Sequence, residues 1–179
     1  MKNNQNLALL GLARWLAITI VSVAAAQAIA APLAAGDTPP NYVGQTLKGE
    51  KVYLSDYQGK AVVLSFWASW CAYCLKELPI LENLQRKASK HLQVIAVNTE
   101  SDDVYRKLVR AMKNMELRTS YDPDEIAAKS YGVSGIPHLV IIGRDGKIQA
   151  VYRGYAESSL PAIVRDVNVA IGAAPTAAQ

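Results

Sequence analysis

Both cysteines of the chain lie in one stretch, which reads Phe66-Trp67-Ala68-Ser69-Trp70-Cys71-Ala72-Tyr73-Cys74-Leu75-Lys76-Glu77-Leu78-Pro79. An apolar run at 61–67 precedes the cysteines and predicts a buried strand, and a helix-compatible segment follows at 72–88. Cys71 therefore lies at a helix start, where unpaired backbone N–H groups favour a thiolate and commonly lower a thiol pKa to ~7 or below. Cys74 lies on the same helix face, so it can attack a mixed disulfide formed by Cys71. The stretch predicts dithiol–disulfide exchange.

The length and charge of the chain narrow the class of protein. A chain of 179 residues can form one domain with a full core, together with a processed or flexible end. Its formal charge is +4, but Lys2 and Arg14 belong to an apolar leader, and without them 17 basic residues face 15 acidic ones. The sequence has no basic cluster interleaved with aromatic residues. We therefore expect no nucleic-acid partner, and the residue pattern indicates neither a cofactor nor a metal site.

Residues 1–31 have the features of an export signal. Lys2 and Arg14 give a basic start, and an apolar stretch with small residues suited to cleavage follows. The uncharged run 15–36 is also long enough for a membrane span, which takes ~20 residues. Because its alanine-rich second half is weakly apolar, we favour a cleaved signal over a membrane anchor. Either outcome predicts a periplasmic or otherwise extracytoplasmic domain. The rest divides into a linker at 32–42, a folded domain at 43–172 and a disordered tail at 173–179.

Periodicity and turn residues predict a fold of the α/β class. Strands are predicted at 51–54, 61–67, 92–97, 139–142 and 148–152, the last two joined by an Asp145-Gly146 turn. Helices are predicted at 72–88, at 102–115, from Asp122-Pro123-Asp124-Glu125 to Gly132, and from 158–161 onward. The second helix is expected to place Val104, Leu108, Ala111, Met112 and Met115 on one face, and the last to bury Leu160, Val164, Val167 and Ile171. This alternation predicts a mixed central sheet flanked by helices.

Several motifs together carry a family resemblance. They are Val52-x-Leu54 with Gly59-Lys60, Phe66 to Cys71, Glu77-x-Pro79, Ala96-Val97-Asn98, Tyr131-Gly132-Val133-x-Gly135-Ile136-Pro137, and Asp145-Gly146. From about Val43 to about Val169 the chain resembles the thioredoxin superfamily, and more narrowly the exported thiol-disulfide oxidoreductases of the TlpA/ResA type. The resemblance implies a thioredoxin fold with an N-terminal strand extension. It also implies disulfide-bonded client proteins as substrates and a membrane protein as electron donor.

The resemblance assigns roles to individual residues. It implies that Cys71 is the attacking thiolate, that Cys74 is the resolving thiol and that Glu77 handles the proton. It further implies a cis peptide bond before Pro137, which would face the dithiol and offer the backbone of Ile136 to an extended substrate. Trp70 and Tyr73 are expected to contact the substrate, whereas Trp67 is expected to close the core above its strand.

Three positions depart from the family pattern. Tyr73 stands where proline is usual, and the isomerase-type exported proteins also have tyrosine there, which leaves the direction of the reaction open. Ser65 stands where thioredoxin has a buried aspartate, so Glu77 is left as the nearby proton acceptor. His138 follows Pro137 where threonine is usual, and we expect a surface or strand-start histidine.

Other functions stay open at this point. A net oxidase or an isomerase of the same fold would use the same two cysteines. A thiol peroxidase is less favoured, because related peroxidases have threonine three residues before the reactive cysteine and this chain has Ala68. A copper carrier would use Cys71, Cys74 and His138, although known carriers of this fold have a wider cysteine spacing.

Overall fold

The computed structural model describes residues 32–172. The predicted export signal or anchor at 1–31 and the predicted tail at 173–179 lie outside the described residues. Among the helices of the described part, none combines the length and the apolar character that crossing a membrane requires.

In the part of the chain that the structure describes, a mixed sheet of seven strands forms the centre of the domain. Its strands are β1 (Tyr42–Gln45), β2 (Lys51–Tyr53), β3 (Ala61–Trp67), β4 (Leu92–Asn98), β5 (Arg118–Tyr121), β6 (His138–Ile142) and β7 (Ile148–Arg153). They are arranged in the order β2-β1-β5-β4-β3-β6-β7. β4 runs parallel to β3 and β5, whereas β6 runs antiparallel to β3. β1 and β2 form the N-terminal strand extension at one edge.

Within residues 32–172, four α-helices cover the sheet. They are α1 (Ala72–Ala88), α2 (Asp102–Ala111), α3 (Ile126–Ser130) and α4 (Leu160–Ala170), and short 3₁₀ turns occupy Leu54–Tyr57 and Glu157–Ser159. All seven residues of β3 are buried, as the continuous apolar run predicts for a central strand covered on both faces. The predicted mixed sheet flanked by helices is therefore confirmed.

Side chains alternate between the two faces of the sheet along each strand, and this divides the core into two layers. One layer, the dithiol face, includes Val63, Trp67, Cys74, Leu81 and Leu139, and packs against α1 and α4. The other layer, the opposite face, includes Val62, Phe66, Val97, Ala127 and Val140, and packs against α3. Successive residues of a strand point to opposite faces, so each strand position can be assigned to one layer.

The predicted end of α2 is wrong, and the strand that follows it was not predicted. The helix ends at Ala111 and not at Met115, because a turn closed by the Met115 N–H and the Met112 carbonyl redirects the chain. Leu108, Met112 and Met115 still pack on the core, but Tyr105 is the residue that α2 buries fully.

The sequence analysis also missed β5, whose four residues Arg118–Tyr121 are mainly polar. Its Ser120 hydroxyl is buried and donates to the Val43 carbonyl, so the neighbouring strand satisfies that polar side chain.

The start of α3 and the buried residues of α4 also differ from prediction, whereas α4 begins within the predicted range, at Leu160. α3 begins at Ile126, and the Asp122 carboxylate accepts from the Ala127 and Ala128 N–H groups. Glu125 has φ 54° and makes no capping bond. The helix ends at Ser130, two residues before the predicted end at Gly132, and Gly132 has the left-handed conformation expected of it. In α4 the buried residues are Ile163, Val167 and Ala170, whereas Val164 is exposed. Of the predicted stripe, Val167 is buried and Leu160 and Ile171 pack on the core, so only Val164 is misplaced.

Part of the segment 32–42, for which we predicted a linker, bonds to the last hairpin. Gly36 donates its N–H to the Ile148 carbonyl, and Ile148 donates to the Asp37 carbonyl, at 2.8 and 3.0 Å. Pro39 is buried, and the Tyr131 hydroxyl donates to the Pro40 carbonyl. These bonds hold the chain against the domain immediately before β1.

Candidate active site

The two cysteines lie where β3 ends and α1 begins. A turn closed by the Cys71 N–H and the Ala68 carbonyl, 3.1 Å apart, leads from the strand to the helix. Cys71 is the N-cap of α1, and its Sγ accepts the Cys74 N–H at 3.2 Å. The two residues are joined by a disulfide. The helix start therefore supplies an N–H donor to the sulfur of Cys71, and a thiolate is stabilised by such a donor.

The two sulfurs differ in their access to solvent. Cys71 is 7% exposed, whereas Cys74 is 0% exposed and packs in the core of the dithiol face. A protein disulfide that approaches from outside can therefore reach Cys71 first. Cys74 lies behind it, on the helix face that points at the sheet.

Glu77 is buried below the dithiol and not exposed to solvent. The Ser65 hydroxyl, on the dithiol face of β3, donates to Glu77 Oε2 at 2.8 Å in a buried hydrogen bond. Burial raises the pKa of Glu77, and the hydrogen bond from Ser65 lowers it by a smaller amount. Ser65 thus stands where thioredoxin has a buried aspartate. Its hydroxyl binds the carboxyl group of Glu77 from α1, which supplies the buried acid instead. Glu77 lies one helical turn after Cys74, on the same face of α1.

The Ile136–Pro137 peptide bond is cis, as the resemblance implied. In the antiparallel pairing of β3 and β6, Phe66 is opposite His138. Pro137, the residue before His138, therefore lies level with Trp67, the last residue of β3 before the turn to the cysteines. The Pro137 carbonyl accepts the Gly154 N–H at 2.8 Å, which connects this loop to the end of β7. Ile136 is partly buried and packs on both core layers.

Exposed aromatic side chains surround the dithiol. Trp70 is 74% exposed and Tyr73 is 58% exposed, whereas Trp67 is buried in the core as predicted. The Tyr73 ring stacks on the ring of Tyr155, with centroids 6.0 Å apart, and Lys76 Nζ lies 5.8 Å from the Tyr73 centroid. Large apolar side chains on a surface are typical of protein contact sites.

A groove beside Trp70 runs along the loop that precedes Pro137. It has a volume of 330 Å³. Its walls come from that loop, from α3 and from the end of β4, and are lined by Trp70, Thr99, Glu125, Ala128, Lys129, Val133, Ser134, Gly135 and Ile136. Trp70 and Ile136, two of the predicted substrate-contacting residues, therefore line one groove.

His138 begins β6 but is buried, so the predicted strand start is confirmed and the predicted surface position is wrong. Among the described residues, neither of its ring nitrogens has a hydrogen-bond partner. Burial, and to a smaller extent the nearby charge of Arg153, lower the pKa of His138 to about 4. Its position in the alternation of β6 matches Val140, on the opposite face from Cys74. His138 and the two cysteines therefore do not converge on a copper site.

The sequence analysis missed Glu100 and Tyr155. Glu100 follows β4 by two residues and accepts hydrogen bonds from Ser69, in the turn that leads to Cys71. Its signal in the sequence is a polar pair, Asn98 and Glu100, at the carboxyl end of a buried strand predicted to lie beside β3. Tyr155 gave no such signal, because only the return of β7 toward the dithiol brings it to Tyr73.

Comparison with known proteins places the chain in a family. The sequence profile of the redoxin family matches residues 34–167. Thiol-disulfide oxidoreductase ResA of Bacillus thuringiensis subsp. konkukian is 32% identical over 120 residues, which cover 66% of this chain and 69% of that protein. Thioredoxin-like protein YneN of Bacillus subtilis is 37% identical over 122 residues, which cover 66% of this chain and 71% of that protein.

A solved structure agrees with the sequence relatives. The crystal structure of a candidate thiol:disulfide interchange protein DsbE from Chlorobium tepidum superposes with a TM-score of 0.70 at 29% identity. The match covers 79% of this chain and 100% of that one. Fold, paired cysteines and relatives agree: the chain belongs to the redoxin family and is a thioredoxin-fold, ResA-like thiol-disulfide oxidoreductase.

Proposed function

We propose that this protein reduces disulfides of client proteins outside the cytoplasm. The observation that carries the proposal is the unequal burial of the two cysteines at the start of α1: Cys71 keeps 7% of its surface exposed, and Cys74 is fully enclosed. This arrangement supports an ordered exchange, in which one sulfur meets the client and the other completes the reaction.

In the first step, the Cys71 thiolate attacks one sulfur of a client disulfide. A bond forms between Cys71 Sγ and that sulfur, the client S–S bond breaks, and the other client sulfur leaves as a thiolate. The N–H of Cys74 lies 3.2 Å from Cys71 Sγ and stabilises its negative charge before the attack. The product of this step is a mixed disulfide.

In the second step, Cys74 resolves the mixed disulfide. Cys74 gives its proton to Glu77, attacks Cys71 Sγ, and releases the second client sulfur as a thiolate. The protein is left with the Cys71–Cys74 disulfide, and the client has gained two electrons. Because burial raises the pKa of Glu77, its basicity is closer to that of a thiol than an exposed carboxylate would be, which favours this proton transfer.

The surface around the dithiol supports the binding of an extended client segment. Trp70 and Tyr73 offer exposed aromatic contact area, and Pro137 and Ile136 offer the backbone of the loop beside the groove. Tyr155 enlarges this surface through its stack with Tyr73. We assign substrate binding to this surface.

The cellular setting completes the proposal. Residues 1–31 act as an export signal, with cleavage favoured over retention as a membrane anchor. Outside the cytoplasm the environment is oxidising, so a reductase must be returned to its dithiol form by an electron donor. We assign that role to a membrane protein.

The reduction potential of the Cys71–Cys74 pair tests the direction of the reaction. The purified protein is equilibrated with glutathione buffers, and its dithiol fraction is measured. A value near thioredoxin's ~−270 mV supports a reductase, whereas a value near ~−120 mV, typical of the oxidant DsbA, overturns it in favour of an oxidase. Insulin reduction and peroxide consumption are measured in parallel. A protein that consumes peroxide but does not reduce insulin is a thiol peroxidase.

A further inference from the structure

Glu100 lies beside the active-site turn, although it is 29 positions away from Cys71 along the chain. β3 and β4 are parallel, and Trp67 pairs with Asn98 at their carboxyl ends. The residues that follow the two strands are therefore neighbours. Glu100 extends from the end of β4 toward the turn Ala68–Cys71.

Both carboxylate oxygens of Glu100 are occupied by donors. The Ser69 N–H donates to Oε2 at 2.6 Å, and the Ser69 hydroxyl donates to Oε1 at 2.8 Å. The Asn98 side-chain amide donates to Oε2 at 3.0 Å, and its own oxygen accepts the Glu100 N–H at 3.0 Å. Asn98 therefore fixes the direction of the Glu100 side chain, and Glu100 in turn holds Ser69 by two bonds.

Ser69 occupies the second position of the turn that Cys71 closes. The Cys71 N–H bonds the Ala68 carbonyl, so the backbone of Ser69 determines where the turn delivers Cys71. The Sγ of Cys71 must reach the Cys74 N–H at the helix start to be stabilised as a thiolate. A shift of the turn would move Sγ relative to this donor and relative to the client disulfide. Misplacement by about 1 Å can cost a reaction a factor of about 100.

We propose that Glu100 is a positioning residue for the thiol-disulfide exchange, and that it sets the reactivity of Cys71 by holding Ser69. The inference rests on the proposed role of Cys71 as the attacking thiolate. Glu100 acts through hydrogen-bond geometry and not through its charge, since all three groups that it accepts from are neutral donors.

Three substitutions of Glu100 separate geometry from charge. Glu100→Gln keeps the length of the side chain: its oxygen can accept from the Ser69 and Asn98 N–H groups, and its NH₂ can donate to the Ser69 hydroxyl, which is also an acceptor. Glu100→Asp keeps the charge but is one methylene too short to reach Ser69. Glu100→Ala removes both. Glu116→Ala, which removes an exposed carboxylate outside this cluster, is the matched control.

The assay is alkylation of reduced Cys71 by iodoacetamide in the full chain carrying Cys74→Ser, measured as a function of pH. The Cys71 thiolate displaces iodide, so the reaction needs no client protein. We expect Glu100→Asp and Glu100→Ala to slow alkylation at neutral pH by about tenfold or more and to move the midpoint of the pH profile upward. Glu100→Gln should stay within about threefold of the parent, and Glu116→Ala should match it. A purely structural role would lower stability without moving this midpoint.

Each outcome decides the proposal. Normal alkylation by folded Glu100→Asp overturns it, and so does slowing of folded Glu100→Gln beyond threefold, because hydrogen-bond geometry without the charge would then not be sufficient. If Glu100→Ala does not fold, the Asp and Gln variants still give the answer. Because alkylation does not depend on clients, a protein that fails to reduce insulin but shows the expected pattern loses the proposed function and keeps the role of Glu100.

Discussion

The two faces of the sheet each bury an ionisable side chain near the same end of β3. The two side chains differ in whether a hydrogen-bond partner meets them. On the dithiol face, the Glu77 carboxylate accepts a hydrogen bond from Ser65. On the opposite face, the ring of His138 packs edge-on against Phe66, and neither ring nitrogen has a partner among the described residues. Burial disfavours the charged form of both groups, so it raises the pKa of Glu77 and lowers that of His138.

This difference separates a group that can exchange a proton from one that stays neutral. The hydrogen bond from Ser65 stabilises ionised Glu77, so both forms of the carboxyl group are accessible in the fold, and the group lies on the helix face of Cys74. His138 has no such partner for its charged form, and its pKa of about 4 keeps it neutral at physiological pH. The comparison teaches that burial alone does not make a group able to exchange a proton in the fold, because the charged form also needs a partner.

The largest expected effect comes from the cysteines of the dithiol face. Cys71→Ser should abolish insulin reduction, because no thiolate remains at the helix start. Cys74→Ser should instead accumulate a mixed disulfide through Cys71. Mass spectrometry of the trapped species identifies the attacking sulfur, and trapping on Cys74 in the Cys71→Ser protein would reverse the order of attack. His138→Phe, which alters the opposite face, serves as the comparison and should retain turnover at neutral pH.

Glu77→Gln should slow the resolution of the mixed disulfide by about a hundredfold, the factor that a general base commonly supplies. The first attack by Cys71 should be unchanged or slightly faster, because a nearby negative charge has been removed. Rapid-quench trapping of the mixed disulfide measures the two steps separately. If the mixed disulfide does not accumulate, Glu77 does not accept the proton of Cys74, and the two faces do not differ in the way proposed.

The buried groups of the two faces should also change the stability of the fold with pH in opposite directions. Because the pKa of His138 is lowered in the fold, this group contributes stability above its ordinary pKa of 6.5, and that stability is lost as pH falls toward about 4. Because the pKa of Glu77 is raised in the fold, this group contributes stability at low pH, and that stability is lost as pH rises. Relative to the parent, His138→Phe should therefore gain about 2 kcal/mol between pH 7 and pH 5. Glu77→Gln should stabilise the fold more at pH 7 than at pH 5. Urea unfolding at both pH values measures these changes, and parallel behaviour of the variants would contradict the comparison.

The smallest effect is expected at the edge of the dithiol face. Tyr73→Pro should make the Cys71–Cys74 pair more reducing by on the order of 30 mV, a factor of about ten in the equilibrium constant. The reason is that the dipeptide between the cysteines restrains the helix start and so the stabilisation of the Cys71 thiolate. Equilibration with glutathione measures the shift. Tyr155→Ala, which removes the stacking partner but leaves the dipeptide, is the control, and an unchanged or more oxidising Tyr73→Pro protein would contradict the prediction.

The sequence was most informative where local signals agreed. The strand at 61–67 and the helix at 72–88 have the predicted boundaries, because an apolar run, a turn and a helix-compatible segment follow one another without conflict. The sequence was least informative at β5, where polar residues form an internal strand. It also misplaced one residue of α4, since Val164 is exposed whereas Leu160, Val167 and Ile171 pack on the core, because two stripes that differ by one residue are nearly equally periodic. In both places, the packing of neighbouring strands and helices overrides the local pattern.

By itself, the sequence determined the pair of cysteines at a helix start, the central strand before it and the mixed sheet around it, since these depend on spacing and periodicity along the chain. Only the tertiary structure decided which polar groups meet. Ser65 reaches Glu77, 12 positions away, because α1 packs on the dithiol face of the sheet, and Ser69 reaches Glu100, 31 positions away, because β3 and β4 are neighbouring parallel strands. The burial of His138 was decided in the same way, by the alternation of β6 against β3. Contacts between elements depend on register and layer packing, which no single segment specifies.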